Sequence, residues 1–388
     1  MKVAPSSATI THKVADEFSK NKSNVAKIAT TVMGKPIKQS LSEIDKCVLV
    51  MKYYADNGDI FLHDESLNTD ARKSTITFEP IGVIGCIMPW NFPYWQVLRF
   101  AAPSLMAGNT VVLKPASATL QCGIEIENAF RGISNELLQD GGIFQTLVGD
   151  SSIGEILIDS SISGVTFTGS DSVGGKVAER GTSQLKKCVL ELGGSDPFIV
   201  CGDADVDKAS NGAAKGHFIN TGQSCIATKR FFVVKSVAKE FIEKFVQHTE
   251  KLRVGDPLSE NTDIVPLVNN RSMNNMESIV KDGIKNGAEL LTGGERMGSK
   301  GYFYKPTLLT NVTTKMRISQ EEVFGPVALI TVVNNEEEAI KLANGSQFGL
   351  GSSIWTQDLD KAERLSKLLD VGIVTVNNVV ISFWRSQE

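Results

Sequence analysis

Several features are missing from this 388-residue sequence, and each absence closes off a class of function. No run approaches the ~18 consecutive apolar residues of a membrane-spanning helix. The N-terminal MKVAPSSATITHKVADEFSK lacks the apolar core of a secretory signal. A cytoplasmic chain without a membrane partner is therefore expected. No basic cluster accompanies the net charge of -4, so nucleic acid and acidic surfaces are not expected partners. The six cysteines form no CxxC pair and the four histidines are dispersed, which predicts that no metal is bound. A GxGxxG fingerprint is absent, as is any Pro/Ser-rich linker or low-complexity run.

What is present is an ordinary globular composition, 41% hydrophobic and 22% charged, long enough for two or three domains of ~150 residues. Roughly the first 65 residues read as helix, in two stretches at 10–33 and 42–61, with apolar positions such as Val14, Phe18, Val25 and Ile28 at helical spacing. Strands and helices then alternate. Strand IGVIGCIM precedes a helix at 95–107, NTVVLKP one from about 117 to 132, FQTLVG one at 151–158, and GVTFTG one at 172–180; CVLELGG closes the series. A second series starts near Pro197: PFIVC, a helix at 204–220, RFFVVK, a helix at 237–252, then VALITVV, SSIWT and GIVTVNN with helices between. Regular alternation of this kind predicts parallel βαβ units, and hence an α/β fold of two doubly wound domains joined near 192–197.

Four short segments carry candidate chemistry. Cys86, Cys188 and Cys201 lie in or beside apolar strands and read as small core hydrophobes, whereas Cys225 follows the turn-prone Gly222-Gln223-Ser224 between a helix and a strand. It is either an accessible thiol or a packed loop cysteine. Glu191 sits between two leucines at the end of a strand, where burial would raise its pKa toward that of a usable base. A salt-bridged strand-end glutamate is the alternative. Asn91 lies between Pro89 and Pro93 in PWNFP, which fixes its backbone and lets its amide serve as a donor to an oxyanion. EEVFGPV places Glu322 and Phe324 before a Gly-Pro turn. No histidine accompanies Cys225 closely, because His217 falls in a helix, so a papain-like pair is not expected.

Taken in order, PWNFP, GNTVVLKPAS, FTGSDSVG, LELGGSDP, GQSC and EEVFGPV resemble the aldehyde dehydrogenase superfamily across residues 80–380. The resemblance implies Cys225 as nucleophile, Glu191 as general base and Asn91 as oxyanion donor. It implies cofactor contacts from Met88, Pro89, Trp90 and Leu192, from Lys114 on the adenosine ribose, and from Gly169 and Ser170 on the pyrophosphate. Glu322 would hold the nicotinamide ribose, with the Phe324 ring beside the nicotinamide. Residues 1–192 would form the NAD(P)-binding domain, with 70–82 contributing oligomerisation strands, and 193–380 the catalytic domain.

NAD-preferring members often carry Glu where Ser117 stands. A small neutral residue there leaves Lys114 to pair with a phosphate, so NADP is the expected cofactor, with NAD accepted more weakly. Arg99 lies eight residues beyond Asn91, in a stretch that resembles succinate-semialdehyde dehydrogenases, where this arginine binds the far carboxylate of the substrate. An arginine that caps or bridges a helix is the competing possibility. The expected partner is a small aldehyde, and the family is homo-oligomeric.

Against that family pattern an initial stranded segment and a terminal PFGG loop and strand are lacking, and 381–388 form an atypical tail with the apolar pair Phe383-Trp384. An incomplete oligomerisation sheet is expected, with Thr75–Phe78 as an open edge. Two alternative functions follow: a truncated, catalytically silent chain acting as a binding or subunit protein, or a cofactor-independent thiol esterase.

Overall fold

The N-terminal apolar spacing is realised as three helices rather than two: α1 Pro5–Lys20, α2 Lys22–Met33 and α3 Ile37–Phe61. The third starts directly after Pro36, whose fixed φ suits a helix entry, and so runs ahead of the Ser42 start expected from sequence. Val14 and Phe18 of α1 and Ile44 and Met51 of α3 form one apolar stripe each and are buried together. The computed structural model describes residues 5–138 and 142–381. Of these, 5–33 and Ile37–Leu192 cluster into one unit, and Gly34–Pro36 with 193–381 into a second.

In the first unit a two-stranded antiparallel sheet pairs β1 Glu65–Leu67 with β2 Ser74–Ile76. Thr75 therefore has a strand partner, Ser66, and the segment expected as an open edge is paired on one side through a strand that alternation did not reveal. Five further strands, β3 Val83–Met88, β4 Thr110–Pro115, β5 Phe144–Thr146, β6 Gly164–Thr168 and β7 Lys187–Glu191, are all parallel, in the order β5-β4-β3-β6-β7. Helices α4 Trp95–Met106, α5 Leu120–Leu138, α6 Ser152–Asp159 and α7 Asp171–Thr182 connect them. The chain reverses its winding between β3 and β6, the place where open α/β sheets bind ligands at the carboxyl ends of their strands.

The second unit holds β8 Asp196–Val200, β9 Thr228–Val234, β10 Glu289–Thr292, β11 Thr307–Thr310, β12 Val327–Val333, β13 Gly351–Trp355 and β14 Ile373–Val376, in the order β10-β11-β12-β9-β8-β13-β14. Its helices are α8 Val206–Phe218, α9 Lys235–Glu250, α10 Asn270–Lys285, α11 Arg317–Gln320, α12 Glu336–Asn344 and α13 Leu359–Ser366. Every residue of β8, β9 and β13 is buried, as strands covered on both faces require. Phe198, Phe231, Phe241, Phe245 and Trp355 fill the layer between sheet and helices. The sheet is not wholly parallel: β10 runs antiparallel to β11 at the edge, a departure from the regular alternation expected. The atypical tail falls, from residue 382 onward, outside the described residues.

Candidate active site

Asn91 sits in the turn that carries the chain from β3 into α4. Its side chain is buried, and its Oδ1 accepts the Phe92 N–H at 3.2 Å, which turns the NH2 end of the amide the other way. The turn is anchored from a distance. Glu43 of α3 is buried, and its Oε1 accepts the backbone N–H groups of Tyr94 at 2.9 Å and Trp95 at 2.8 Å. These are first-turn donors of α4 with no partner inside the helix, so a carboxylate 51 residues away acts as its N-terminal cap. The Tyr94 hydroxyl adds a bond to the Val25 carbonyl, and Lys46 stacks on the Trp95 ring at 3.8 Å. Sequence inspection passes over Glu43, since a glutamate within a helix normally faces water.

Glu191 ends β7, but it is not buried: its side chain is 44% exposed, so the burial expected from its two leucine neighbours is not met. Alternation along an edge strand sends Leu190 toward the core cluster and leaves the carboxylate at the margin. Arg99, on α4, lies 3.6 Å from it (Nη2 to Oε2). The bridging possibility for Arg99 is thus met within this unit, and the carboxylate that it bridges to is the proposed base.

A groove of about 830 Å³ opens at the carboxyl ends of β3, β4 and β6. Met88, Pro89, Lys114, Ser117, Gly169 and Ser170 all line it, as do Arg180 and Lys176 from α7. Ser170 is the extended residue preceding α7, whose first N–H groups point toward the groove end of the helix. Gly169 has to lack a side chain, because a Cβ there would stand 2.5 Å from the Phe167 ring. Lys114 is buried, with its Nζ on the Pro115 carbonyl at 2.6 Å; burial pushes its pKa down, with Asp150 acting in the opposite sense. Trp90 and Leu192 are not among the groove's lining residues. Leu192 packs instead on α7, with Cδ2 2.3 Å from where a Cβ on Gly174 would be. Glu322 and Phe324 belong to the second unit.

In the second unit α8 ends at Phe218, two residues short of the expected helix, because Asn220, Thr221 and Gly222 turn left-handed at φ 48, 58 and 74. A β-branched residue in this region is strained and persists only where its surroundings dictate it. Here they do. The Thr221 hydroxyl accepts the Val265 N–H at 2.9 Å, and Gln223 Oε1 accepts that of Val268 at 3.0 Å. Cys225 follows this turn and is half-buried, while Cys47, Cys86, Cys122 and Cys201 are buried. Burial raises the thiol pKa of Cys86, and that of Cys201 to about 12, in keeping with their reading as core residues.

Beneath the turn lies Lys229, the second residue of β9, fully buried. Its Nζ donates to the carbonyls of Gly194 at 2.8 Å, Ser224 at 2.8 Å and Cys225 at 3.0 Å, and lies 3.3 Å from Glu322 Oε1. Glu322 Oε1 also accepts the Gly194 N–H at 3.3 Å. Segments GGSDP, GQSC and EEVF are thus gathered around one ammonium. The neighbouring Arg230 points the other way and caps α12 through the Leu342 and Ala343 carbonyls. The signal for both was in the sequence, as a charged pair inside the otherwise apolar run IATKRFFVV.

Cys201, Asp203 and Glu336 bring ligand-type atoms within 4.8 Å of one another, which cysteine spacing could not foresee. Lys361 supplies the positive charge there, 3.0 Å from Asp203 and 3.7 Å from Glu336. Among the described residues no helix is long and apolar enough to cross a membrane.

The aldehyde dehydrogenase family model matches residues 3–386. A Synechocystis sp. protein named "Probable succinate-semialdehyde dehydrogenase, NADP(+)" is 43% identical over 371 residues, covering 95% of this chain and 81% of the relative. A Mycobacterium avium succinate-semialdehyde dehydrogenase, NADP(+), is 40% identical over 374 residues, covering 95% and 78%. Among solved structures, the succinic semialdehyde dehydrogenase from Streptococcus pyogenes in complex with NADP+ superposes with a TM-score of 0.94 at 32% identity, covering 98% of this chain and 83% of that one. With its motifs in order and its sheets in this topology, the chain belongs to the aldehyde dehydrogenase family.

Proposed function

We propose that this chain oxidises a short aldehyde bearing a distal carboxylate, with succinic semialdehyde as first choice, to the carboxylic acid, and that it takes NADP+ in preference to NAD+. The observation that carries this is the groove at the winding reversal of the five-stranded sheet, lined by six of the ten residues matched to cofactor contacts. Its volume of about 830 Å³ lies within the range of cofactor sites, roughly 300–1,000 Å³. A thiol esterase would have no use for it. Lys114, Ser117, Gly169 and Ser170 fit the adenosine and pyrophosphate portions, with Met88 and Pro89 at the end of β3. Glu322 and Phe324 would serve the nicotinamide portion. The absence of a carboxylate at Ser117 supports NADP+, in line with the names of the relatives.

In this mechanism the Cys225 thiolate adds to the aldehyde carbon. The charge that develops on oxygen is taken by the Asn91 amide and the Cys225 N–H. When bound, the cofactor supplies the hydride acceptor that converts the thiohemiacetal to a thioester. Glu191 removes a proton from water, the water oxygen bonds to the thioester carbon, the carbon–sulfur bond breaks, and the acid leaves. Arg99 binds the substrate's far carboxylate, for which its guanidinium has bidentate geometry. The guanidinium lies 3.6 Å from Glu191, so the substrate carboxylate would compete with that pair for it.

The test is NADPH formation by the purified chain with succinic semialdehyde and with propanal, for the parent and Arg99→Ala. The variant is expected to lose roughly 10- to 10²-fold in kcat/KM for the carboxylated aldehyde, the worth of one charge-assisted pair, and much less for propanal. Equal losses on both substrates would remove Arg99 from this role. No NADPH from any aldehyde would sink the dehydrogenase assignment and favour a silent chain.

A further inference from the structure

Lys229 has three N–H groups and three short carbonyl partners, so each N–H of its ammonium has an acceptor. The Ser224 partner is the informative one. The Ser224 carbonyl and the Cys225 N–H belong to one planar trans peptide, in which C=O and N–H point in opposite directions. A cation 2.8 Å from that carbonyl therefore fixes where the Cys225 N–H points, and it also draws electrons from the amide, making the N–H a stronger donor. The Cys225 carbonyl, at 3.0 Å from the same Nζ, holds the next peptide plane, so the residue is clamped on both sides. Gly194 seals the arrangement from below: a Cβ there would lie 2.5 Å from the Cys225 carbonyl oxygen.

We propose that Lys229 is the positioning residue of the oxyanion site, orienting and polarising the Ser224–Cys225 peptide so that its N–H can take the charge on the reacting carbonyl oxygen. The proposal rests on Cys225 being the nucleophile. Lys229 touches neither substrate nor cofactor in this scheme; it acts through the peptide in front of it. Glu322, 3.3 Å from the ammonium, balances the buried charge.

Two reactions of the same thiol separate this role from simple structural support. Acylation by p-nitrophenyl acetate passes through an oxyanion and needs no cofactor, whereas alkylation by iodoacetamide displaces iodide without forming one. In the full chain, Lys229→Met is expected to slow single-turnover acylation roughly 10²-fold, the scale for losing one oxyanion donor. Cys225 alkylation, followed by peptide mass spectrometry, should change less than about threefold. Lys229→Gln retains a neutral donor and should fall between parent and Met in acylation; it carries the same test if the Met variant does not fold. Lys229→Ala should regain acylation with propylammonium, which replaces the deleted atoms, and not with butanol. Equal losses in acylation and alkylation, or no loss in either, overturn the proposal. A parent chain that neither reagent modifies at Cys225 would instead refute Cys225 as the nucleophile.

Discussion

Gly222 lies directly against Gly325: a Cβ on Gly222 would stand 2.1 Å from the Gly325 carbonyl oxygen. The turn before Cys225 and the turn after Glu322 and Phe324 therefore meet backbone to backbone, a closeness that only glycine permits. Gly222→Ala also faces a φ of 74, so strain and overlap act together. The expected cost is roughly 3 kcal/mol or more, from a left-handed non-glycine residue plus an overpacked contact. The denaturant midpoint of the variant measures it; a midpoint equal to the parent's would mean that the two turns do not touch in solution.

Glu43 provides a second measurable dependence. Glu43→Ala leaves the Tyr94 and Trp95 N–H groups without the acceptor that they share, at a cost of about 3 kcal/mol for two buried donors. Glu43→Gln keeps an oxygen and loses only the charge, and should cost about 1 kcal/mol. Because the capped helix starts four residues beyond Asn91, the alanine variant should also slow turnover more than its stability loss alone accounts for. Equal stability of the two variants would show that the carboxylate is not the cap.

Stability should fall in acid through His217. Burial in the second unit drives its pKa down to about 3, with Lys229 adding to the fall and the Thr228 carbonyl, at 2.6 Å from Nδ1, opposing it. The unfolded imidazole titrates near 6.5. A depressed folded pKa means that stability is complete above pH ~6.5 and is lost as pH falls from there toward ~3. At pH ~5 the loss from this group alone is about 2 kcal/mol. Asp196 works in the opposite sense: burial raises its pKa to about 6, so below that pH it takes up a proton that favours the folded chain. Comparing the parent with His217→Asn at pH 7.5 and 5 isolates the histidine. The variant should lose less stability between the two, and parallel losses would contradict the assignment.

Cofactor choice is predicted to turn on Ser117, which lines the groove with Lys114. Ser117→Glu would place a carboxylate where it can bond a ribose hydroxyl and repel a phosphate. The ratio of kcat/KM for NADP+ to that for NAD+ should drop by about 10-fold or more, as expected for one uncompensated charge contact. An unchanged ratio would move the selectivity elsewhere in the groove.

The class of fold and the segments that carry the candidate site residues were legible in the linear sequence, and for local reasons. Strand–helix alternation reports which faces are covered, and prolines around Asn91 or glycines before Cys225 restrict the backbone wherever the chain goes next. The burial ascribed to Glu191 failed because two leucine neighbours say nothing about a strand's place in its sheet, and β7 is an edge. Likewise β1 and the antiparallel β10 are short and take their meaning from the strands they pair with, and the first helical stretch divides at Asn21 into α1 and α2. Glu43 above the Asn91 turn, Lys229 beneath Cys225 and Arg99 beside Glu191 were decided only in three dimensions. Each is a charge whose meaning comes from backbone groups or a counter-charge brought to it by folding, and no spacing rule within one segment can anticipate such a meeting. Residue types and local backbone limits set by the sequence supplied the chemical groups; the tertiary structure decided which charges are buried, what pairs with them, and where the peptide at Cys225 points.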